Sequence, residues 1–242
     1  MLAVLGAMEE EIARLRERLT HVREETVARI RVFRGSFDGT EIILAQTGIG
    51  KVSAAICTQM IIDRYDADRL LFCGVAGGLA PNMQPGDIVV ASHLVQYDMD
   101  LTAFGRRLGE IPGLGRLLEC DPELVQLAAA AFDDAFPAED AANVGPNLMI
   151  GTVASADRFI KDRDEQRRLQ REFSALATEM EGAAAGQTCY VNEVPFVVVR
   201  AISDGASQSA QDEFSSNLSR AAANGARLME KLIPAAVASC VA

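Results

Sequence analysis

Pro195-Phe196-Val197-Val198-Val199 opens the most apolar strand of the chain, which runs on through Arg200-Ala201-Ile202-Ser203-Asp204. Its aromatic and β-branched residues follow one another without alternation, the pattern of a strand covered on both faces. Working outward, Leu2-Ala3-Val4-Leu5 reads as a short buried strand, followed by an acidic-started helix with Ile12, Leu15 and Leu19 on one face. Residues 28–35 alternate as a half-buried strand, Asp38-Gly39 marks a hairpin turn, and Glu41–Ala45 is the returning strand. A helix follows over Lys51–Tyr65, then strands at Leu70–Cys73 and Ile88–Val90, and Pro122 starts an Ala-rich helix. Asn147–Val153 and Ala175–Thr178 read as strands on either side of a charged helix at Asp162–Phe173, and a last helix spans Ser215 to Leu232. Strands alternating with helices, plus one early hairpin, predict an α/β fold: a three-layer α/β/α sandwich with a central mixed, twisted sheet, as one domain over residues 1–242.

Composition narrows the function. The 242 residues are 49% hydrophobic, and 23 Lys+Arg against 34 Asp+Glu give a net charge of −11. Such a chain builds a real core but is repelled by nucleic-acid and anionic-membrane surfaces, so neither partner is expected. The mixed signs of Lys161–Arg171 mark a solvated helix face, not a basic patch. No apolar run reaches the roughly 18 residues of a membrane span, and Met1–Met8 meets Glu9-Glu10-Glu11 without a basic leader, which predicts a soluble, cytoplasmic protein. Cys57, Cys73, Cys120, Cys189 and Cys240 form no CxxC pair and read as small buried hydrophobes, so no metal site is expected. With only His21 and His93, a nucleophilic triad has little to draw on, and the chemistry falls to carboxylates.

In open α/β sheets ligands collect beyond the carboxyl ends of the strands. Glu9-Glu10-Glu11, Glu179/Glu181 and Asp204 all follow strands. Each has a plain structural reading as a first-turn helix acid, an N-cap or a turn residue. Together, with no histidine near them, they outline a carboxylate-based site. Gly48-Ile49-Gly50-Lys51 has neither the spacing of a Walker loop nor that of a dinucleotide fingerprint, so no nucleotide cofactor is expected. Gly74-Val75-Ala76-Gly77-Gly78 follows a strand, where small residues such as Ala76 and Gly77 let backbone approach a flat ligand.

Six motifs in order extend this reading: Met8-Glu9-Glu10-Glu11, Thr47–Val52, Gly74–Leu79, Asp100–Gly105, Glu179-Met180-Glu181 and Arg200–Asp204. Over nearly the whole chain they resemble the 5′-methylthioadenosine/S-adenosylhomocysteine nucleosidases of the purine nucleoside phosphorylase superfamily, which cleave the N-glycosidic bond with water. The resemblance implies that Asp204 donates to adenine N7, that Glu11 orients and deprotonates the water, and that Arg200 sits at the water site. Met180 and Glu181 would hold the ribose beside Glu179, with an ionised Glu181 accepting from its hydroxyls. Ser203 would seat Asp204, Phe159 and Ile160 would stack on adenine and meet its edge, and Met8 and Ile49 would line the alkylthio end. Phe104 and Pro112 match positions that a neighbouring subunit supplies, implying a homodimer, and the family's task is methionine salvage. Glu11 beside the sugar would repel a phosphate dianion, which favours hydrolysis over phosphorolysis. Apolar Phe196–Val199 would raise the Asp204 pKa, with Arg200 pulling it down.

Two positions depart from the family pattern. Val75 stands where a serine is frequent, and Gln211, in a short 205–211 stretch, stands where an aromatic residue commonly closes over the ligand. An aminodeoxyfutalosine nucleosidase, a phosphorylase of the same fold and a non-catalytic nucleoside-binding protein are the competing readings.

Overall fold

The computed structural model describes residues 1–137, 145–207 and 209–239; Cys240 and Gln208 lie outside the described residues. In chain order the elements are β1 (Leu2–Gly6), α1 (Glu9–Arg18), β2 (Thr20–Val27), β3 (Ile30–Phe37), β4 (Thr40–Gln46), α2 (Lys51–Tyr65), β5 (Arg69–Gly78) and β6 (Ile88–Gln96). A 3-10 turn at Thr102–Phe104 leads to β7 (Leu118–Glu119), α3 (Pro122–Ala135), β8 (Leu148–Ser155), α4 (Arg163–Phe173), β9 (Ala175–Glu179), α5 (Gly182–Val191), β10 (Phe196–Asp204) and α6 (Ala210–Ala238).

The apolar run in β10 is buried at every position because its two faces serve two cores. Phe196 and Val198 face one cluster, shared with Leu70 and Phe72 of β5 and with Cys57 and Ile61 of α2. Val197 and Val199 face the other, shared with Leu71 and Cys73 of β5 and with Ile12, Leu124 and Leu232 of α1, α3 and α6. Burying each such side chain is worth about 1.5–3 kcal/mol, so β5 and β10 anchor both layers. The sheet is mixed, with helices on both sides, as its alternating elements predict. It also closes on itself: from β10 the pairing runs through β6, β8, β9 and β5 and returns to β10, while β1, β4, β3 and β2 extend from β5 as a wing.

Several boundaries differ from the sequence reading, each for a local reason. β2 is solvent-exposed almost throughout and has no apolar period; β3 holds it through antiparallel pairing. Residues 28 and 29, expected in a strand, form the turn between them, with both Ala28 (φ 50°) and Arg29 (φ 66°) left-handed. β5 continues through Gly78 rather than ending at Cys73, because β10 pairs with it as far as Gly77 and β9 takes Gly77 and Gly78 on the other side. α6 begins before Ser215 and runs past Leu232, carrying Pro234 within it. His93 lies inside β6. Cys57, Cys73, Cys120 and Cys189 are buried free thiols, and among the described residues no helix is long and apolar enough to cross a membrane.

Candidate active site

The parallel strands β1, β5 and β10 end at one edge of the sheet, and β9 reaches the same edge from the opposite direction. Their carboxyl ends frame a cavity of about 510 Å³, within the usual range for a small-molecule site. Met8, Glu11, Ile49, Ala76, Gly77, Phe159, Ile160, Glu179, Met180, Glu181, Ser203 and Asp204 all line it. Arg200 does not; it lies beneath the floor, 1% exposed. Phe104 and Pro112 are exposed and lie outside this chain's own cavity.

Of the first acidic cluster only Glu11 turns inward, while Glu9 pairs with Arg16 and Arg31 on the surface. Glu11 sits in the first turn of α1 and reaches back: Oε2 accepts from the Ala7 N–H at 2.6 Å and the Met8 N–H at 2.9 Å, and Oε1 accepts from the Val75 N–H at 2.9 Å. A carboxylate offers about four lone-pair directions, so one remains, on Oε1. Burial raises the Glu11 pKa, against the pull of Arg200 and these three N–H donors. Gly74 is what lets Glu11 and Arg200 approach: a Cβ there would stand 2.8 Å from both Glu11 Oε1 and Arg200 Nη1.

Glu179 is tied mainly to its own chain: Oε2 is saturated with donors, and Oε1 keeps one lone pair free. Its Oε2 accepts from Arg200 Nη2 at 2.5 Å and from the N–H groups of Gly182 (2.7 Å) and Glu181 (3.1 Å), and its Oε1 accepts from the Ser155 hydroxyl. It borders the cavity as the buried counter-ion of Arg200, whose guanidinium also stacks 4.5 Å over the Phe72 ring. Burial works to lower the Arg200 pKa, but Glu179, Glu11 and Glu181 together hold it above its ordinary value.

Glu181 accepts from the Gly50 N–H at 2.7 Å, which ties α5 to the Gly48-Ile49-Gly50 turn. Burial and the neighbouring Glu179 charge raise its pKa to about 8, so it carries its proton for much of the time at neutral pH instead of being the fully ionised group expected.

Asp204 ends β10, 1% exposed, its Oδ1 accepting from the Ala206 N–H at 2.9 Å. Burial raises its pKa, against Ala206 and Ser203; Arg200, expected to lower it, acts on Glu11 and Glu181 instead. Ser203 Oγ lies 2.8 Å from Asp204 Oδ2 and 3.2 Å from the Ala76 carbonyl. One hydroxyl proton cannot serve both acceptors. The shorter contact takes it: the Ser203 O–H donates to Asp204 Oδ2, the bond that opposes the rise of the Asp204 pKa on burial.

Over the mouth, Phe159 meets Phe214 of α6 edge to face at 5.9 Å. Gln211 lines the cavity too, so Phe214, one turn further along, supplies the aromatic cover. Sequence reasoning missed Phe214 and Thr178 as lining residues; the position of Thr178 beside Glu179-Met180-Glu181 was the available signal.

A mixed α/β sheet with buried carboxyl groups gathered at its strand ends is the architecture of the phosphorylase superfamily, whose family model matches residues 1–234. The chain is 38% identical over 233 residues to the 5′-methylthioadenosine/S-adenosylhomocysteine nucleosidase of Bacillus subtilis, covering 96% of this chain and 97% of that one. The crystal structure of the Neisseria meningitidis nucleosidase in complex with methylthio-immucillin-A superposes with a TM-score of 0.90 at 36% identity, covering 96% and 97% of the two chains. A futalosine hydrolase of Helicobacter pylori reaches a TM-score of 0.88 at 33% identity, covering 96% and 97%. The chain belongs to the 5′-methylthioadenosine/S-adenosylhomocysteine nucleosidase family.

Proposed function

We propose that this protein hydrolyses the N-glycosidic bond of 5′-methylthioadenosine and S-adenosylhomocysteine, releasing adenine and the 5-thioribose product. The observation that carries this reading is the convergence of Glu11, Glu181 and Asp204, from three strand ends, on one cavity. Asp204, held towards its protonated form by burial, gives its proton to N7 as the C1′–N9 bond breaks, so that neutral adenine leaves instead of its anion. Positive charge grows on the sugar, and the nearby carboxyl groups stabilise it as in glycoside hydrolysis. Water attacks C1′ and passes a proton to the free lone pair of Glu11 Oε1. The cycle closes when Glu11 loses that proton and Asp204 regains one from solvent.

Phe159 and Phe214 cover the base, backbone at Ile160 meets its edge, and Ala76 and Gly77 form the flat floor. Met180 and Glu181 hold the ribose, and Met8 and Ile49 border the alkylthio group. Arg200 is a positioning residue: it fixes Glu179 and offsets the charge around Glu11. Phosphorolysis is disfavoured because a phosphate dianion would face the Glu11 carboxylate, the base of the proposed hydrolysis. A second copy of the chain would supply Phe104 and Pro112 to this cavity, and such a homodimer would serve methionine salvage in the cytoplasm as a single-domain enzyme.

Chromatography of base release from methylthioadenosine, with and without phosphate, tests the reading. Free adenine and methylthioribose in phosphate-free buffer are expected. Release only with phosphate would make the protein a phosphorylase, and release only from aminodeoxyfutalosine would reassign the substrate.

A further inference from the structure

Among the described residues only Thr58, Tyr97 and Thr178 hold a buried side-chain oxygen without a hydrogen-bond partner. Leaving a buried hydroxyl unpaired costs about 1–3 kcal/mol, so such groups call for an explanation. Thr58 is in the α2 core, but Thr178 and Tyr97 are neighbours at the cavity. Thr178, 5% exposed, lines it. Tyr97, 2% exposed, stands behind, packed with Ile160 and Ala206. The two hydroxyls are near enough for Thr178, acting as a hydrogen-bonding neighbour, to pull the phenol pKa down against burial, but they fall short of full hydrogen-bond geometry. Burial pushes the phenol to about 12, so it remains protonated and able to donate.

The sheet register locates the pair. Thr178 is the cross-strand partner of Gly77, and a Cβ on Gly77 would lie 3.0 Å from Asp204 Oδ1. Thr178 and Asp204 therefore stand on opposite flanks of Gly77, and the residues following Thr178 lead directly to Glu181 at the sugar end. A purine has two acceptor nitrogens on the edges beside its glycosidic bond, N7 on one flank and N3 on the other. With Asp204 at N7, the opposite flank presents N3.

We propose that Thr178 reads the base of the substrate: its hydroxyl donates to purine N3, while the Tyr97 hydroxyl behind it donates to Thr178 Oγ1. The relay leaves all three groups satisfied. It rests on the assignment of Asp204 to N7. As the electrons of the C1′–N9 bond move into the ring, negative charge builds on its nitrogens and N3 becomes a better acceptor. The bond therefore strengthens towards the transition state and contributes to kcat, not to binding alone. Tyr97 touches no substrate atom and is a positioning residue for Thr178.

The test compares methylthioadenosine with its 3-deaza and 1-deaza analogues, in which a C–H replaces one ring nitrogen, reading both kcat/KM for base release and Kd by calorimetry. Thr178→Val, close to isosteric, should lose about tenfold in kcat/KM on methylthioadenosine and on the 1-deaza analogue, the net worth of one hydrogen bond. It should lose nothing further on the 3-deaza analogue. Thr178→Ser keeps the hydroxyl and should keep the discrimination. Tyr97→Phe should lower kcat in the wild-type background and have no effect once Thr178 is Val. Equal losses on all three nucleosides, or a loss that follows the 1-deaza analogue, would overturn the proposal. Absence of base release by the wild-type protein would refute the hydrolase reading, and the same pattern in Kd would then decide this one separately.

Discussion

Asp204 and Glu181 both carry raised pKa values, but they predict different observables. Replacing Asp204 with Asn leaves a group that can hydrogen-bond N7 but cannot give it a proton. The expected result is a fall in kcat of about 10²–10⁴-fold with Kd nearly unchanged, checked by adenine release alongside calorimetry. In the folded protein burial, with the Glu179 charge, raises the Glu181 pKa to about 8 from the ordinary glutamate value near 4.5. The folded state therefore binds the extra proton between these values, and the stability linked to it is present below about 4.5 and lost as pH rises through about 8. Glu181→Gln removes this dependence while keeping an oxygen to accept from Gly50. In the ligand-free protein its melting temperature, measured against that of wild type across this range, should rise relative to wild type as pH increases; a constant difference would refute the assigned cause. The acids themselves were legible in the sequence because position after a strand is a strong clue. The roles of Glu179 and Arg200 were not, since a spent carboxylate and a free one are the same letter until their donors are known. Thr178 was hidden for the same reason: the want of a partner is a property of the packed site, not of the residue type.

At the scale of the element, the hairpins show why one strand was readable and another was not. Asp38-Gly39 places both residues at positive φ, 47° and 91°, with residues suited to it, and the turn announces itself. Ala28-Arg29 adopts the same left-handed pair with residues that gain nothing from it, so β2 had no turn signal beside it and no apolar face of its own. Left-handed backbone costs a non-glycine residue roughly 1–2 kcal/mol. The double change Ala28→Asn and Arg29→Gly should therefore stabilise the protein by about 1 kcal/mol in urea unfolding with activity unaltered. A neutral or destabilising result would mean the strain is relieved in a way the backbone angles do not reveal. The end of β5 behaves in the opposite manner. Gly74 is ordinary strand backbone with no room for a side chain, so Gly74→Ala should separate Glu11 from Arg200 and lower kcat/KM sharply while far-UV circular dichroism stays native. Full activity would show that their close approach is dispensable.

For the whole molecule, the closed part of the sheet carries Glu179 and Asp204 at its strand ends, and Ile49 at the cavity is exposed beside further apolar surface. Ile49, Val52, Ile56 and Val191 are between 52% and 68% exposed, and Val52, Ile56 and Val191 border a groove between α2 and α5 next to the site. Phe104, on its own short turn, is 82% exposed. An exposed apolar patch of this kind is the expected mark of an association surface. Ile49, exposed and bordering the cavity, lies just before Val52 in the chain, so under the proposed homodimer a second copy docking on the patch would sit beside the mouth. Two variants separate assembly from catalysis. Val52→Glu with Ile56→Glu puts charge into the patch; under the proposed homodimer it should give a monomer by light scattering at micromolar concentration, with kcat/KM reduced at least tenfold because the neighbour's Phe104 loop would be lost. Under the same proposal, Phe104→Ala should leave the dimer intact and raise KM, since it would remove the partner's contact with substrate and little of the interface. A monomeric double variant with full activity would show that each chain completes its own site, and Phe104 would then have to be explained without a partner.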